Sequence, residues 1–188
     1  MDTRRKMVMA ALQLLESEGF SQFSTRAVGA IAKVTPPTLY HHFGSADGLL
    51  SAAIGEAFEQ FIASRKAAVK SADVLTALRE GWDDYVRFAA TRPRLYSAML
   101  ARVLQGVDIP AARQGYAMLM ERIKALEAER GLLMPPEAAA QIVWASASAA
   151  ALLYTAELGG TGEPDPEVVA ALREGAIGQI IARQENRR

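Results

Sequence analysis

The polar side chains best suited to binding chemistry stand together in one short segment, Thr35-Pro36-Pro37-Thr38-Leu39-Tyr40-His41-His42-Phe43. Threonines, a tyrosine and both histidines of the chain surround one leucine there, which is too polar a mixture for a helix that serves packing alone. Hydroxyl and imidazole groups can donate hydrogen bonds to phosphate oxygens and base edges, or accept them, without burying a charge. Two prolines are tolerated in the first turn of a helix and expose its N-terminus, whose free N–H groups attract phosphate. The segment therefore predicts a short helix that binds nucleic acid.

Other chemistry for these side chains is disfavoured. Adjacent helical residues point about 100° apart, and the sequence has no cysteine and no third histidine, so His41 and His42 make a poor metal pair. The lack of cysteine also excludes a disulfide scaffold and a cysteine nucleophile. Because no cluster of acid, base or metal ligands stands elsewhere, we expect no catalytic residue, no enzyme activity, no metal and no cofactor. Tyr40 taken alone fits a half-buried core aromatic equally well.

The elements that position this segment are predicted to be helices throughout. Apolar residues recur three and four positions apart, and no stretch alternates with period two. Proline and glycine separate the periodic stretches and indicate an all-α fold of about nine helices. The first helices are expected over 3–18, after Ser24, from Pro36 and after Ser45, and the later ones over 73–91, 93–106, 110–131, 135–160 and 166–183. Two short helices with a tight turn can form a helix-turn-helix unit, whose second helix enters the DNA major groove.

Charge and hydropathy give weaker information. The 21 basic and 21 acidic residues cancel, and the first fifty residues carry a net charge of only +1, so DNA binding would depend on local geometry. We interpret Arg4, Arg5 and Lys6 as a solvated terminus, with an arm that contacts phosphates as the alternative. The absence of a signal-peptide core indicates a cytoplasmic protein. Residues 138–156 are uncharged and long enough to cross a bilayer, but they are rich in alanine and serine, and we expect no membrane partner.

Several features around the polar segment occur together. The apolar face of the first helix leads to Gly19-Phe20, a cap follows at Ser24-Thr25, and Ser45, Asp47 and Leu49-Leu50 come after Phe43. With the Thr-Leu-Tyr-x-His-Phe string that starts at Thr38, these features make residues 7–58 resemble the DNA-binding domain of the TetR family of bacterial transcriptional regulators. A looser similarity to several subgroups runs from Trp82 to Tyr96. Three positions depart from the family pattern, namely Lys33 for a turn glycine, Ala27 for an acidic capping residue and Ala46 for a basic one.

The resemblance implies a helix-turn-helix DNA-binding domain over residues 1–50 and a larger helical effector-binding and dimerisation domain over residues 51–188. It implies that one set of side chains faces the bases, namely Arg26, Thr35, Pro36, Pro37 and His41. It implies that Thr38, Tyr40 and His42 contact the phosphate backbone. The function so implied is a ligand-responsive transcriptional regulator, most often a repressor, that is released from double-stranded operator DNA by a small molecule.

Two further sets of residues are assigned to the second domain. The first set consists of aromatic and methionine side chains, which either form an ordinary core or line a pocket for a small apolar or aromatic effector. Its members are Trp82, Tyr85, Phe88, Tyr96, Met99, Tyr116 and Trp144. Arg87 or Arg102 could pair with an effector carboxylate at the rim. The last two helices are expected to form a homodimer as a four-helix bundle, through Ala147, Ala151, Tyr154, Leu172, Ala176 and Ile180.

One alternative from another class stays open. A non-catalytic carrier of lipid-like ligands on the same fold would have lost DNA binding, and the small N-terminal charge and Ala46 favour it. A carrier predicts a degraded recognition helix, however, whereas Thr38-Leu39-Tyr40 is intact.

Overall fold

The structure, a computed structural model, describes residues 2–67, 73–155 and 163–181, with the backbone alone for residues 65–67. Within these ranges the chain folds into nine α-helices and one 3₁₀ turn, Phe20–Gln22, and contains no strand, which confirms the all-α prediction. The helices are α1 Thr3–Glu18, α2 Thr25–Ala32, α3 Pro36–Phe43, α4 Ala46–Ala67, α5 Val74–Thr91, α6 Pro93–Leu104, α7 Pro110–Arg130, α8 Pro136–Leu153 and α9 Pro166–Ile180.

Local signals set most helix ends where the sequence predicts them. The Ser24 hydroxyl accepts a hydrogen bond from the Ala27 N–H at 3.2 Å, and the Ser45 hydroxyl accepts one from the Gly48 N–H at 3.0 Å. These are side-chain caps that satisfy otherwise unpaired N–H groups at the starts of α2 and α4. Gly19 ends α1 with a φ of 80°, a conformation that glycine adopts without steric cost.

The last two helices end earlier than the sequence predicts. The N–H groups of Tyr154 and Thr155 donate to carbonyls three residues back, so the chain tightens into a 3₁₀-type turn and α8 ends at Leu153. The helix α9 ends at Ile180. The predicted ends, Gly159-Gly160 and Arg183, lie outside the described residues.

The chain divides into two compact units, and the first comprises residues 1–67 and 92–113. In this unit α1 packs against α2, α4 and α6, and α3 packs against α2 and α4. Its most deeply buried large side chains include Met7, Leu15, Leu39, Ile54 and Tyr96. The unit therefore reaches beyond residue 50, because α4 continues to Ala67 and α6 returns to α1. The functional division at residue 50 stays a prediction.

The second unit comprises residues 68–91 and 114–188. Here α8 packs against both α5 and α9. The alanine side chains of α8 allow this close approach, and Ala139, Ala140, Ala147 and Ala150 join Trp82 in the hydrophobic core. Among the described residues, no helix combines the length and the apolar character needed to span a membrane.

Candidate nucleic-acid interface

The turn between α2 and α3 is tight, and two residues make it so. Lys33 adopts a left-handed conformation with a φ of 55°, and the Val34 N–H then donates to the Gly29 carbonyl at 3.0 Å. A Cβ atom on Gly29 would lie only 3.0 Å from the Val34 carbonyl oxygen, so the turn closes over a position that favours glycine. The positive φ accounts for the turn glycine of the family pattern at this position, and Lys33 holds a conformation that glycine adopts more easily.

The helix α3 is held by one apolar anchor and exposes most of its other side chains. Leu39 is completely buried, whereas Thr38 and Phe43 are half-buried. The remaining residues predicted to bind DNA in and beside this helix are exposed, namely Thr35, Pro36, Pro37, Tyr40, His41 and His42. Tyr40 is 48% exposed, which disfavours the alternative that it is a core aromatic. The outward surface of α3 thus presents hydroxyl and imidazole groups to solvent.

The geometry within α3 orders these polar groups. The hydroxyls of Thr35 and Thr38 lie 3.0 Å apart and share a hydrogen bond. The rings of His41 and His42 form an edge-on pair with centroids 5.4 Å apart. Pro36 and Pro37 fill the first two helical positions and carry no N–H, so Thr38 supplies the first N–H of α3. The expectation that several free N–H groups attract phosphate here therefore needs correction, because the two prolines leave few N–H groups in the first turn of α3.

The junction between α3 and α4 depends on a glycine that the sequence analysis did not single out. A Cβ atom on Gly48 would lie 2.2 Å from the Phe43 carbonyl oxygen, a distance that no real contact reaches. Any larger residue at position 48 would therefore displace the end of α3 from the start of α4. The only sequence signal for this role was the position of Gly48 within the string that follows Ser45.

Basic side chains stand beside this surface. Arg26 is exposed in the first turn of α2. The Arg4 guanidinium lies over the Phe43 ring, 5.2 Å from its centroid, in a cation–π contact. Arg5 lies 3.6 Å from Glu56. Because α1 starts at Thr3, these N-terminal cations belong to an ordered helix rather than to an extended arm.

Arg102 and Asp47 form an ion pair that links α6 to the start of α4. The Arg102 guanidinium donates to the two Asp47 carboxylate oxygens at 2.6 and 2.7 Å, and also donates to Ser51 at 2.9 Å and Gln105 at 3.3 Å. The hydrogen bond from Arg102 holds the pKa of Asp47 below its ordinary value. This pairing disfavours the expectation that Arg102 binds an effector carboxylate, because its guanidinium is already bound to Asp47. The pair joins residues 55 positions apart, and no local pattern indicates it.

Comparisons with known proteins agree with this geometry. The family model described as bacterial regulatory proteins, tetR family, matches residues 8–53, from α1 into α4. Residues 8–53 are therefore similar to the N-terminal domain of TetR-family regulators. Among curated protein sequences no match is found.

Solved structures extend the likeness to the whole TetR-family fold. A TetR-family transcription regulator from Marinobacter aquaeolei VT8 superposes with a TM-score of 0.71 at 18% identity, over 96% of each chain. A TetR transcription regulator from Haloarcula marismortui gives a TM-score of 0.67 at 18% identity, over 94% of this chain and 95% of that one. The multidrug binding protein EbrR, complexed with imidazole, gives 0.60 at 22% identity, over 100% of this chain and 99% of that one. At these identities the likeness is one of fold.

The residues predicted to bind an effector divide between the two units. Tyr96 and Met99 are buried in the first unit. The others lie in the second, where Trp82 and Phe88 are buried, Tyr85 and Tyr116 are half-buried and Trp144 is exposed. The Trp82 indole donates to Ser146 at 2.9 Å, and the Tyr85 and Ser148 hydroxyls lie 3.4 Å apart. Serines of α8 thus satisfy the polar groups of these two aromatics, and a ligand role for the set stays a prediction.

Most of the residues predicted at the dimer seam are buried within the single chain. Ala147, Ala151, Ala176 and Ile180 are buried within the single chain, and Tyr154 and Leu172 are half-buried. The first four therefore face the core of this chain rather than a partner. The periodicity did not separate the inward from the outward face of α8, because this helix is apolar around most of its circumference, and a dimer through α8 and α9 stays a prediction.

The first unit also contains an open groove of about 810 Å³ between α1 and the α2–α3 turn. Its lining includes Lys6, Met9, Gln13, Ile31, Lys33 and Val34. None of the seven residues predicted to bind an effector lines it. The sequence alone did not indicate this groove, because its walls come from separate parts of the chain that meet only in the fold.

Proposed function

We propose that this protein is a transcriptional repressor whose helix α3 enters the major groove of operator DNA. The observation that carries the proposal is the exposed polar surface of α3, anchored by Leu39 alone and preceded by a tight turn. An α-helix fits the major groove, where hydroxyl, imidazole and guanidinium groups can contact phosphates and base edges. In this proposal Arg26 reads a base, and Thr38, Tyr40 and His42 position the helix on the phosphate backbone.

A dimer completes the proposal. Outside the core, α8 exposes Trp144, Ala145, Ala149 and Leu152, and α9 exposes Val168, Ala171 and Gly175. These uncharged stripes suit a four-helix bundle that is formed with a second copy of the chain. Two recognition helices related by a two-fold axis then require a pseudo-palindromic site, with half-sites about 34–36 Å or a multiple apart.

The effector in this proposal is small and apolar or aromatic. The support is the aromatic content of the second unit, where Trp82, Tyr85, Phe88, Tyr116 and Trp144 belong to one compact body. EbrR, a protein of the same fold, binds imidazole, which is a small aromatic molecule. Binding would release operator DNA only if the effector has different affinities for the DNA-binding and the free conformations.

The deciding experiment is a salt-titrated binding assay. The purified protein is mixed with labelled duplex DNA from the region flanking its gene, and with a shuffled duplex of the same length and composition. We expect tighter binding to the flanking DNA and an affinity that falls steeply with salt, because phosphate contacts release counterions. Equal and weak binding to both duplexes, together with tight binding of lipid-like molecules, would favour the carrier alternative instead.

A further inference from the structure

Among the residues that the structure describes, Arg102 is the one charged residue that is buried, with 8% of its surface exposed. An uncompensated guanidinium in an interior is unfavourable, so such a residue needs partners. Arg102 obtains them mainly from α4, through Asp47 and Ser51. The Asp47 side chain itself is 64% exposed, so the buried guanidinium contacts it from the protein interior. Within the described part of the chain, the Arg102 Nε is buried and has no partner, so Nη1 and Nη2 make the hydrogen bonds that hold the side chain.

The residues that Arg102 binds lie one turn apart on α4. Positions 47 and 51 are on the same face of a helix, so the guanidinium is bound to the first two turns of α4 at two points. The first turn of α4 also contains Gly48, whose backbone lies against the Phe43 carbonyl at the end of α3. A movement of this turn must therefore move α3, because there is no room between them.

We propose that Arg102 is a positioning residue for DNA binding, which acts from α6 through the first turn of α4 to fix the orientation of α3. The inference rests on the proposed function of α3 as the recognition helix. The Asp47 carboxylate is exposed on the DNA-binding unit, and its negative charge by itself repels DNA phosphates. The geometry gives this carboxylate a positive contribution to DNA binding, because it is the group by which Arg102 holds α4.

The variant Asp47→Asn separates these two effects. It keeps the shape of the side chain, removes a negative charge and weakens the bidentate pair. Electrostatics alone predicts tighter DNA binding, whereas the positioning role predicts binding at least about fivefold weaker, as for residues coupled in one network. The matched control is Asp108→Asn, which makes the same charge change at an exposed ion pair with Arg113 in the same unit and should alter affinity by less than about twofold. An affinity for Asp47→Asn that equals or exceeds that of the parent overturns the proposal.

Amide hydrogen exchange supplies a readout that needs no DNA. In Asp47→Asn, the amides of α3 and Gly44 should exchange at least about fivefold faster, whereas the amides of α8 should not change. Equal acceleration in α3 and α8 would indicate global destabilisation, and unchanged exchange in α3 would indicate no positioning; either result overturns the inference. If the parent protein fails to bind any DNA, the proposed function fails, and the exchange data still decide whether Arg102 orders α3.

Discussion

Lys33 shows how a single residue sets the geometry of the DNA-binding unit. Its left-handed backbone, with a φ of 55°, turns the chain from α2 into α3. For a residue with a Cβ atom this conformation costs roughly 1–2 kcal/mol, while glycine loses roughly 0.5–1 kcal/mol in extra chain entropy on folding. The two effects oppose each other. Because the entropy cost of glycine is smaller than the strain that glycine avoids, glycine has a net advantage at this position.

We predict that Lys33→Gly raises the free energy of unfolding by about 0.5 kcal/mol, because the backbone strain at the turn is relieved. Lys33→Val should lower it by at least about 1 kcal/mol, because a β-branched residue tolerates a positive φ poorly. Urea denaturation monitored by circular dichroism measures both.

The control for this prediction is Ala30→Gly at an exposed position within α2. Glycine has no strain to relieve in a regular helix, so this variant should lower stability by about 0.5–1 kcal/mol. If Lys33→Gly destabilised the protein as much as Ala30→Gly does, the turn would not be strained at Lys33.

At the scale of elements, α5 and α9 are joined by a network of four charges. The Arg79 guanidinium donates to Glu174 at 2.7 Å, and Arg173 donates to Asp83 at 2.7 Å and to Glu174 at 2.8 Å. The hydrogen bond from Arg79 is the main cause that holds the pKa of Glu174 below its ordinary value of 4.5. The network fixes α9 against α5 at its partly exposed edge.

The lowered pKa of Glu174 gives the sign of a pH effect. A carboxyl whose pKa is lower in the folded state stabilises the protein above its unfolded pKa, and this contribution disappears as the pH falls through the folded pKa. We therefore predict that Glu174→Gln lowers the free energy of unfolding by up to about 1 kcal/mol at pH 7, a modest value because the site is partly exposed. The difference from the parent should vanish in the acid range below the ordinary pKa of 4.5.

Denaturation curves at several pH values measure this difference, and Glu127→Gln at an exposed position on α7 serves as the control. The control should leave stability within about 0.5 kcal/mol of the parent at every pH. A Glu174→Gln deficit that persisted unchanged into the acid range would contradict an origin in the charged carboxylate.

Elements were predictable from the sequence to the extent that their signals are local. The caps at Ser24 and Ser45 act within three residues, so they located the starts of α2 and α4. The pairing of Arg102 with Asp47 and the burial of Ala151 depend on which helices meet. A sequence rich in alanine on all sides of α8 does not show which side faces the core, and so four of the six residues assigned to the dimer are buried within the single chain.

At the scale of the whole molecule, two copies of the chain are needed to place two α3 helices on one operator. Among the exposed residues of α8 and α9, Trp144, Ala149, Leu152, Val168, Ala171 and Gly175 are uncharged, and Trp144 is 39% exposed and Val168 48% exposed in the single chain. Exposed aromatic and aliphatic side chains in a continuous stripe are typical of an interface.

We predict that Ala149→Glu, which places a charge on the exposed face of α8, converts the dimer into a monomer, because an unpaired charge at an apolar interface is unfavourable. Light scattering at micromolar concentration should give the mass of two chains for the parent and one for the variant. Ala128→Glu at an exposed position on α7 is the control and should stay dimeric. A charge at the fully buried Ala151 would instead unfold the second unit. A one-chain mass for the parent would rule out the dimer.

The central claim is that the exposed surface of α3, together with Arg26, binds DNA. The most direct test of this claim measures the affinities of three variants for the flanking and the shuffled duplexes. Tyr40→Ala should weaken binding to both duplexes by a similar factor of about five or more, because it removes a phosphate contact. Arg26→Ala should also reduce the preference for the flanking duplex, because guanidinium reads guanine. Phe20→Ala, at a residue 55% exposed outside α3 in the same unit, should bind like the parent. If Tyr40→Ala and Arg26→Ala bound both duplexes as the parent does, α3 would not be the recognition helix.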